Sequence, residues 1–387
     1  MKILYLNKVK FPSPIPAAVF SVLNAYGFAQ NRCETLFIAR KNSDKNADSL
    51  LREYLGVEPR SNFQIKLFSA TWLGMESNTI FYLRAMIWIL GQRKAPFQLI
   101  VTRDPAFLPY LVLLKSVMKS VKMIYQSHNF YLDLKKRPDL QRVNRLRHHW
   151  AERCNIHRMD GILALQSAHR DLYRQYTAVP VFAGHPGFLT VHETDATARF
   201  RRKTVAYIGS FQPMKGIETA VRCYARACQP DWKLLLLGGR NEKEIAYAES
   251  LIGQYHIGPG RCEITGWLSY AALRKRLDSI TVGLLLLDDI FYNRFLTAPS
   301  KLMDYLSAGI PVIATDFPSV QDFLKDGQEG FLIPPGDEKK TAASLTRLMT
   351  DQSLYTRMSR AVHETAHHFT WEACTARMLD FFETLED

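Results

Sequence analysis

The sequence has no hydrophobic run long enough to cross a membrane. Its most apolar stretch, IFYLRAMIWIL at 80–90, contains Arg84 and is about half the length of a spanning helix, which needs roughly twenty residues. The first residues, MKILYLNKVK, lead directly into a strand-like pattern and lack the apolar core of a signal peptide. We therefore expect no transmembrane helix and a cytoplasmic location.

The chain also has few cysteines and no paired metal-binding pattern. Its six cysteines are scattered without a CxxC motif: Cys33, Cys154, Cys223, Cys228, Cys262 and Cys374. Such spacing argues against both a structural zinc site and a disulfide framework. The thiols are therefore expected to be reduced and mostly buried.

Charge is distributed unevenly along the sequence. Residues 1–200 contain 28 lysines and arginines against 14 acidic residues, whereas the remainder is almost neutral and the whole chain carries +13. A basic half suggests an anionic partner such as a nucleic acid, a membrane surface or a phosphorylated substrate. A solvated basic face without a partner is the alternative.

Short apolar runs alternate with longer amphipathic stretches. This is the pattern of βα units around parallel sheets, and a length of 387 residues predicts two domains. The strand-like runs are KILYLN, TLFIA, QLIVT, KMIYQS and GILAL, then TVAYIGS, WKLLLLGG, CEITGW, TVGLLLL, IPVIATD and GFLIPP. The sequence therefore predicts an α/β protein with doubly wound domains over 1–183 and 204–368, joined by a linker over 184–203. A final helix over 369–387 could cross back to the first domain.

One predicted helix start combines a serine, a lysine and an aspartate, in TAPSKLMDYLSAGIPVIATD. Thr297 is expected to cap a helix over about 298–308. Ser300 and Lys301 would lie in its first turn, where unpaired N–H groups and the helix dipole attract a phosphate. Asp304 shares that face and could accept hydrogen bonds from sugar hydroxyls. A surface ion pair between Lys301 and Asp304 is the alternative.

A second loop, GSFQPMKGIETA, also places a lysine at a helix start. It follows a strand, turns on Gly209 and Pro213, and brings Lys215 and Gly216 to the beginning of the next helix. The motif is neither G-x-G-x-x-G nor a P-loop. It therefore predicts an anion site without indicating a dinucleotide or a kinase.

Together the two elements resemble the donor half of nucleotide-sugar glycosyltransferases with the GT-B fold, the family called glycosyltransferase group 1. The resemblance covers about residues 204–380 and includes, in the family's order, LLLLGG, GWL, GIPVIATD, DGQEGFLIPPGD and FTWE. It implies two Rossmann-like domains that face a cleft. The basic first domain would bind the acceptor and the second would bind the nucleotide sugar.

The resemblance also implies individual roles. Lys215 and Lys301 match positions at the donor phosphates, where they would stabilise the leaving diphosphate, and Asp304 matches an acid that binds the ribose. The full expected donor-binding set is Gly209, Ser210, Lys215, Gly216, Gly239, Gly266, Trp267, Leu268, Ser300, Lys301, Leu302 and Asp304. Transfer with retention of configuration is implied, with the nucleotide sugar as co-substrate and no other cofactor.

Two positions depart from the family pattern. Leu296 stands where the first acid of a Glu-x7-Glu motif is found, and Ser210 stands where many members have an arginine. A subgroup with P-[SN]-K-L-x-[DE]-Y also lacks that acid, and PSKLMDY matches it, so a variant donor pocket is expected.

The adjacent Asp288 and Asp289 end a buried strand and are expected to form a turn. No metal site is expected.

In the first half, QSHNFYLDL follows a strand at the carboxyl edge of the predicted sheet, where ligands gather. The resemblance implies a histidine near the reacting sugar, so His128 is a catalytic candidate. Arg103 and Asn129 are expected to contact the acceptor. The alternatives are a structural histidine and an ordinary Arg–Asp surface turn.

The segment 135–158 is strongly basic, with eight lysines and arginines against two acids. Apolar residues are interleaved with the charges, which predicts a cationic amphipathic helix. This helix could rest on anionic lipid, hold a phosphate-bearing acceptor, or pack on the sheet with its charges in water.

The sequence thus predicts a retaining glycosyltransferase that moves a sugar from a nucleotide-sugar donor to a glycan or lipid-linked acceptor. Cell-envelope polysaccharide or lipopolysaccharide assembly, in the cytoplasm or at the inner face of the plasma membrane, is the expected setting. A sugar-nucleotide epimerase or hydrolase of the same architecture is an alternative. A basic nucleic-acid-binding protein is disfavoured because no nucleic-acid module is recognised and the charge lies in one half only.

Overall fold

The chain folds as two compact units. The computed structural model describes residues 1–13, 15–92, 97–140, 142–193, 195–212, 215–227 and 229–385. One unit comprises Met1–Leu189 together with Trp371–Asp387, and the other comprises Thr190–Thr370. The predicted turn at Pro213 and the thiol of Cys228 lie outside the described residues.

The first unit is built on a seven-stranded parallel sheet. Its order is β3-β2-β1-β6-β7-β8-β9, so the direction of winding reverses between β1 and β6, where doubly wound sheets bind ligands. The strands are β1 (Lys2–Phe11), β2 (Glu34–Lys41), β3 (Phe63–Phe68), β6 (Leu99–Thr102), β7 (Lys122–Gln126), β8 (Gly161–Ala164) and β9 (Val181–Ala183). A separate antiparallel hairpin joins β4 (Thr71–Trp72) to β5 (Met75–Glu76).

Helices cover this sheet in two groups. They are α1 (Pro16–Gln30), α2 (Ala47–Leu50), α3 (Asn78–Gly91), α4 (Leu108–Val117), α5 (Arg142–Asn155), α6 (Ser167–Arg174) and, at the end of the chain, α16 (Trp371–Glu383). A π-helical turn covers Leu51–Leu55, and 3₁₀ turns cover Pro105–Phe107, Leu134–Lys136 and Ile156–Arg158. Helix α3 packs on α4 and α4 packs on α5, whereas α1 packs on α16.

The last helix is an integral part of the first unit. The Asn31 amide donates to the carbonyl of Glu372 and to the hydroxyl of Thr375, each at 2.9 Å. A Cβ atom on Gly27 would lie 2.9 Å from both the Thr375 methyl group and the Trp371 carbonyl oxygen. Only glycine therefore lets α1 approach α16 this closely.

The second unit repeats the doubly wound plan with six parallel strands. Their order is β12-β11-β10-β13-β14-β15, and winding reverses between β10 and β13. The strands are β10 (Thr204–Gly209), β11 (Lys233–Gly238), β12 (Cys262–Ile264), β13 (Val282–Leu285), β14 (Val312–Thr315) and β15 (Gly330–Ile333). The predicted α/β class, with two doubly wound parallel sheets, is confirmed.

Nine described helices surround the second sheet, and several begin at side-chain caps. Asn241 accepts a hydrogen bond from the Glu244 N–H, and Asp337 accepts one from the Lys340 N–H. The helices are α7 (Ala196–Phe200), α8 (Ile217–Ala227), α9 (Glu242–Gln254), α10 (Tyr270–Leu277), α11 (Phe291–Phe295), α12 (Ser300–Ser307), α13 (Pro318–Gln321), α14 (Glu338–Thr350) and α15 (Gln352–Ala366). A 3₁₀ turn at His367–Phe369 follows.

The predicted linker over 184–203 is not wholly irregular. It contains α7, which Asp195 caps by accepting from the N–H groups of Thr197 and Ala198. The carbonyl of the buried Arg199 accepts from the Thr281 hydroxyl at 3.0 Å, which ties α7 to the second unit. A helix of five residues is too short to produce a detectable hydrophobic period, so the sequence pattern does not reveal it.

The most apolar stretch of the sequence forms the body of α3. Among the described residues, none of the helices is both long and apolar enough to cross a membrane. The thiols of Cys33, Cys223 and Cys374 are buried, whereas that of Cys154 is exposed.

Candidate functional site

The candidate site of the second unit begins where β10 and β11 end side by side. Gly209 and Gly238, the last residues of these strands, are register partners. A Cβ atom on Gly238 would lie 1.7 Å from the carbonyl oxygen of Gly209, so a side chain cannot be accommodated there. At this carboxyl edge of the sheet, the backbones of Gly209 and Gly238 therefore lie side by side without a side chain between them.

Gly216 brings the start of α8 against the end of β13. Its φ is +80°, and a Cβ atom would lie 1.5 Å from the carbonyl oxygen of Leu286. The Tyr207 hydroxyl lies 3.1 Å from the Ser210 carbonyl and 2.9 Å from that of Lys215. The Tyr207 hydroxyl therefore holds the backbone of the loop that carries Lys215, while the Lys215 side chain is exposed.

Helix α12 begins later than predicted, and its cap differs. Pro299, which makes no side-chain cap, is the N-cap residue, and its carbonyl accepts from the Leu302 N–H at 2.9 Å. The expected cap, Thr297, is buried instead. Ser300 and Lys301 still form the first turn, where backbone N–H groups have no acceptor within the helix.

Lys301 extends its ammonium group over the ring of Tyr207. The Nζ atom lies 4.1 Å from the ring centroid, is shielded from solvent, and has no hydrogen-bond partner among the described residues. Burial, reinforced by the nearby positive charge of Lys215, lowers the pKa of Lys301 from 10.5 to about 7. Lys301 is therefore a buried cation without an anionic partner among the described residues.

The alternative considered from the sequence, a surface ion pair between Lys301 and Asp304, does not form, since the Lys301 ammonium is unpaired in the described part of the chain. Burial raises the pKa of the Asp304 carboxyl to about 7, and the positive charge of Arg274 opposes this rise. Lys301 and Asp304 therefore lie on the same face of α12 as two separate polar groups, both close to their titration points at neutral pH.

Trp267 follows a loop glycine, Gly266, that pairs with the end of β11. Gly266 bridges back to Gly238, and the guanidinium group of Arg240 lies 5.1 Å from the centroid of the Trp267 ring. Trp267 is exposed and Leu268 is partly exposed. The predicted base-binding edge thus combines an accessible aromatic ring with a cation that the sequence motifs did not identify.

Four members of the predicted donor set are buried: Ser210, Gly216, Gly239 and Leu302. The Leu302 side chain lies fully in the core and its N–H is used by Pro299, so Leu302 has no exposed atom with which to contact a ligand. Ser210 is also buried, and its carbonyl is occupied by Tyr207. Leu296, at the departure from the family pattern, is an entirely buried core residue.

Glu244 is a further residue that the sequence motifs did not identify. Its carboxylate accepts from the backbone N–H groups of Phe211 and Arg240, each at 3.0 Å. Because these residues follow β10 and β11 respectively, Glu244 joins the two loops that border the site. An acidic residue in the first turn of a helix, shortly after the LLLLGG strand, was the available signal.

In the first unit, His128 follows β7 at the carboxyl edge of the sheet. Its Nδ1 atom is buried without a hydrogen-bond partner in the described structure. Burial, together with the positive charges of Arg103 and Lys8, holds the pKa of His128 well below its usual value. The imidazole is therefore neutral at physiological pH and retains one free ring nitrogen.

The two predicted acceptor-binding residues are engaged within their own unit. The Arg103 guanidinium stacks 3.8 Å from the centroid of the Phe20 ring and donates to the Ser21 hydroxyl. The Asn129 side chain accepts from the Phe130 N–H and donates to the Tyr131 hydroxyl. Both residues shape the loops around His128.

A buried carboxyl group, that of Glu152, accepts hydrogen bonds from residues close to His128 in sequence. Glu152, on α5, accepts from the hydroxyls of Tyr125 and Tyr173 at 2.6 and 2.8 Å and from the Tyr131 N–H at 2.9 Å. Burial raises the pKa of Glu152 to about 7. In sequence, this acid is one of two in a long basic segment, which gave no sign that it would be buried.

No cluster of three or more metal-binding side chains was found among the described residues. The adjacent Asp288 and Asp289 do not converge: Asp289 pairs with Arg294, while the pKa of Asp288 is raised by burial and by Glu218 and opposed by Lys215.

Solved structures similar to this protein match it over nearly the whole chain. A sucrose-phosphate synthase from Thermosynechococcus elongatus superposes with a TM-score of 0.75 at 18% identity, covering 99% of this chain and 98% of that one. The HepE protein of Anabaena in complex with UDP-glucose superposes with a TM-score of 0.70 at 14% identity, covering 99% and 100%. The protein therefore has the GT-B glycosyltransferase fold.

Sequence comparisons relate part of the chain to one family of glycosyltransferases. A phosphatidyl-myo-inositol mannosyltransferase from Mycobacterium leprae is 24% identical over 189 residues, which are 47% of this chain and 47% of that protein. The chain thus matches about half the length of that relative. Residues 194–365 match the family of glycosyl transferases group 1. This match lies within the second unit and covers less than half of the chain.

Proposed function

We propose that this protein transfers a sugar from a nucleotide-sugar donor to a glycan or lipid-linked acceptor, with retention of anomeric configuration. Cell-envelope polysaccharide or lipopolysaccharide assembly is the proposed setting. The observation that carries the proposal is the Lys301 ammonium, shielded and unpartnered beside Lys215 at the start of α12. A diphosphate supplies the charge and the acceptor atoms that this site lacks.

The proposed mechanism places the donor diphosphate between the starts of α8 and α12. Lys215, Lys301 and the first N–H groups of α12 would stabilise the negative charge that develops on the leaving diphosphate. Asp304 would accept hydrogen bonds from the ribose, and the exposed Trp267 ring would contact the base. The acceptor hydroxyl would attack the anomeric carbon, and its proton would pass to the leaving phosphate as the glycosidic bond forms. No metal is assigned a role.

A nucleotide panel tests the donor site. The melting temperature would be measured with UDP, GDP, ADP, dTDP and CMP, because a ligand at a hundred times its Kd adds about 2.7 kcal/mol to the folded state. We expect one nucleoside diphosphate to raise the melting temperature. No response to any nucleotide would contradict the proposal.

Product analysis then separates transfer from the alternative reactions. The matching nucleotide sugar, labelled in the sugar, would be incubated with a membrane extract as acceptor source. Label in a glycolipid or glycan, with the donor's anomeric configuration by NMR, is the expected result. Label only in free sugar or in an epimerised nucleotide sugar would identify a hydrolase or epimerase instead.

His128 is proposed to form a hydrogen bond with the transferred sugar through its imidazole ring. His128→Ala should lower kcat about a hundredfold, as loss of one transition-state hydrogen bond does, without changing the response to the nucleoside diphosphate. Because the His128 pKa lies well below its usual value, protonation of His128 should not reduce kcat between pH 8 and pH 6. The exposed His157 provides the control His157→Ala, and equal losses in both variants would remove the proposed role.

Diphosphate affinity should depend on the protonation of Lys301. The unliganded pKa is about 7, and the bound diphosphate favours the charged form, so affinity should fall as pH rises above 7. Asp304 ionises in the same range, so Asp304→Asn isolates the lysine. In this variant the Kd should rise by up to about tenfold per pH unit between 7 and 9, measured by calorimetry. A flat profile there would show that Lys301 does not meet the phosphates.

The proposed location is the cytoplasm, at the inner face of the plasma membrane. Support comes from the basic segment 135–158, whose helix α5 exposes Arg147 and Arg153 beside Leu146 and Trp150. This pattern suits the headgroup region of an anionic bilayer.

A further inference from the structure

The hairpin of β4 and β5 has an exposed apolar tip. Trp72, Leu73 and Met75 have exposed fractions of 62%, 80% and 67%. Leu73 and Gly74 occupy the turn with φ values of +47° and +78°. Two-residue turns with both φ values positive favour asparagine, aspartate or glycine, and a leucine there costs more. Neither packing nor turn geometry therefore explains the leucine at this tip.

Three neighbouring helices of the first unit also expose apolar residues. Helix α3 follows the hairpin directly, and its Arg84 donates to the Ser69 carbonyl at 2.8 Å, which fixes the base of the hairpin to the helix. Each of α3, α4 and α5 exposes a pair of apolar residues four positions apart, a spacing that places both on one helical face. We call these pairs the outer helical face: Leu83 and Ile87, Leu113 and Val117, Leu146 and Trp150.

The charged residues of α3, α4 and α5 are almost all basic. Helices α3, α4 and α5 together contain six lysines and arginines and a single acid. That acid is Glu152, which is buried and hydrogen-bonded to Tyr125 and Tyr173. The formal charge available to a partner on these helices is thus positive. Lys115 pairs with Asp160, whereas Arg147 and Arg153 are exposed. A surface that combines exposed apolar pairs and tryptophans with exposed cations complements an anionic bilayer.

The hairpin also lies at the functional edge of the first sheet. Strands β3, β2, β1, β6 and β7 are parallel, so the segments that follow β3, β6 and β7 leave the same edge. The hairpin follows β3, whereas Arg103 and His128 follow β6 and β7. A bilayer that contacts the hairpin tip would lie at the edge that carries His128.

We propose that the hairpin and the outer helical face seat this protein on an anionic bilayer, with Trp72 and Leu73 inserted among the headgroups. The acceptor is then a lipid-anchored molecule presented by that bilayer, rather than a free glycan. The acceptor assignment rests on the proposed transferase function, whereas the bilayer contact does not. This surface extends well beyond the basic helix α5, because the hairpin and α3 supply most of the apolar contact.

Vesicle sedimentation tests the bilayer contact directly. The full chain would be mixed with phosphatidylcholine vesicles, with or without 30% phosphatidylglycerol. We expect binding only to the anionic vesicles, weakened by added salt. Trp72→Ser with Leu73→Asn should reduce partitioning about tenfold, since burial of one large apolar side chain corresponds to at least that factor. Arg147→Glu with Arg153→Glu should remove the preference for anionic lipid.

Matched variants keep the result interpretable. Leu73→Asn relieves the turn, so its melting temperature should not fall below that of the wild type, and any loss of binding then reflects the surface. Ile290→Ser and Arg357→Glu with Arg360→Glu change exposed residues of the second unit and should leave partitioning unchanged. Equal binding by wild type and the hairpin variant would overturn the proposal. A second result would also overturn it. The wild-type protein would fail to bind vesicles and would instead dimerise with rising concentration in light scattering, and the hairpin variant would not dimerise.

The donor assay separates this proposal from the preceding one. A hairpin variant that keeps the nucleotide-induced rise in melting temperature but loses transfer to lipid-linked acceptor in vesicles supports both proposals. Wild-type protein that responds to a nucleoside diphosphate yet ignores anionic vesicles retains the proposed function and refutes the bilayer contact.

Discussion

Lys301→Met should abolish the response to the nucleoside diphosphate while making the unliganded protein more stable. A hydrogen bond to a charged group contributes about 1.5–3 kcal/mol, so affinity should fall about a hundredfold. The same substitution removes an ammonium group that is shielded and unpartnered, and replacements of this kind stabilise proteins by about 0.5–2 kcal/mol. Thermal melts with and without nucleotide measure both effects.

The stability gain should depend on pH in one direction. In the wild type the Lys301 pKa is lowered from 10.5 to about 7, so folding disfavours the charged form. The gain from Lys301→Met should therefore be largest at pH 7 and below, and it should shrink as pH rises toward 10.5. Lys339→Met, at an exposed position of α14, should change neither stability nor nucleotide response. A destabilised Lys301→Met protein would mean that the lysine is structural.

Gly216→Ala should disrupt the second unit and with it the donor site. The new Cβ atom would lie 1.5 Å from the Leu286 carbonyl oxygen at the end of β13, and backbone cannot move aside as a flexible side chain can. Loss of stability should exceed about 3 kcal/mol, a fall in melting temperature of about 10 °C for a unit of this size. Any protein that remains folded should not bind the nucleoside diphosphate, because the start of α8 and Lys215 would be displaced.

Gly260→Ala separates steric conflict from backbone strain. Gly260 has a φ of +74°, close to the +80° of Gly216, but apart from its two chain neighbours no described residue has an atom within 4 Å of the position that a Cβ atom would take there. Alanine at this position should cost only the strain of the left-handed conformation, about 1–2 kcal/mol. Similar losses in the two variants would show that the contact with Leu286 is not what requires glycine.

The elements of the second unit were predictable because their signals are local. The strand ending at Gly209 and the Lys215–Gly216 helix start are visible as short motifs, and period-2 and period-3.6 patterns separate strands from helices. The cap of α12 was misplaced because capping preference is also local, whereas Thr297 is drawn into the core by its neighbours. Propensity yields to tertiary packing at such positions.

The chemistry of the site could not be predicted to the same depth. Spacing placed Lys301 and Asp304 on one face, but only the fold shows that the Lys301 ammonium lies over Tyr207 instead of pairing with Asp304. The burial of Glu152 could not be predicted for a related reason. Its burial depends on Tyr125 and Tyr173, which lie far from it in sequence, and a helix full of arginines suggests a solvated face.

The packing of α16 on α1 determines the order in which the two units can be completed during synthesis. All residues of the second unit, Thr190–Thr370, are synthesised before α16. Because domains fold as units during synthesis, the second unit can finish first. The first unit, although it starts earlier, must wait with the Gly27 surface of α1 uncovered. A released chain that ends at residue 370 should therefore bind nucleotide although its first unit lacks α16.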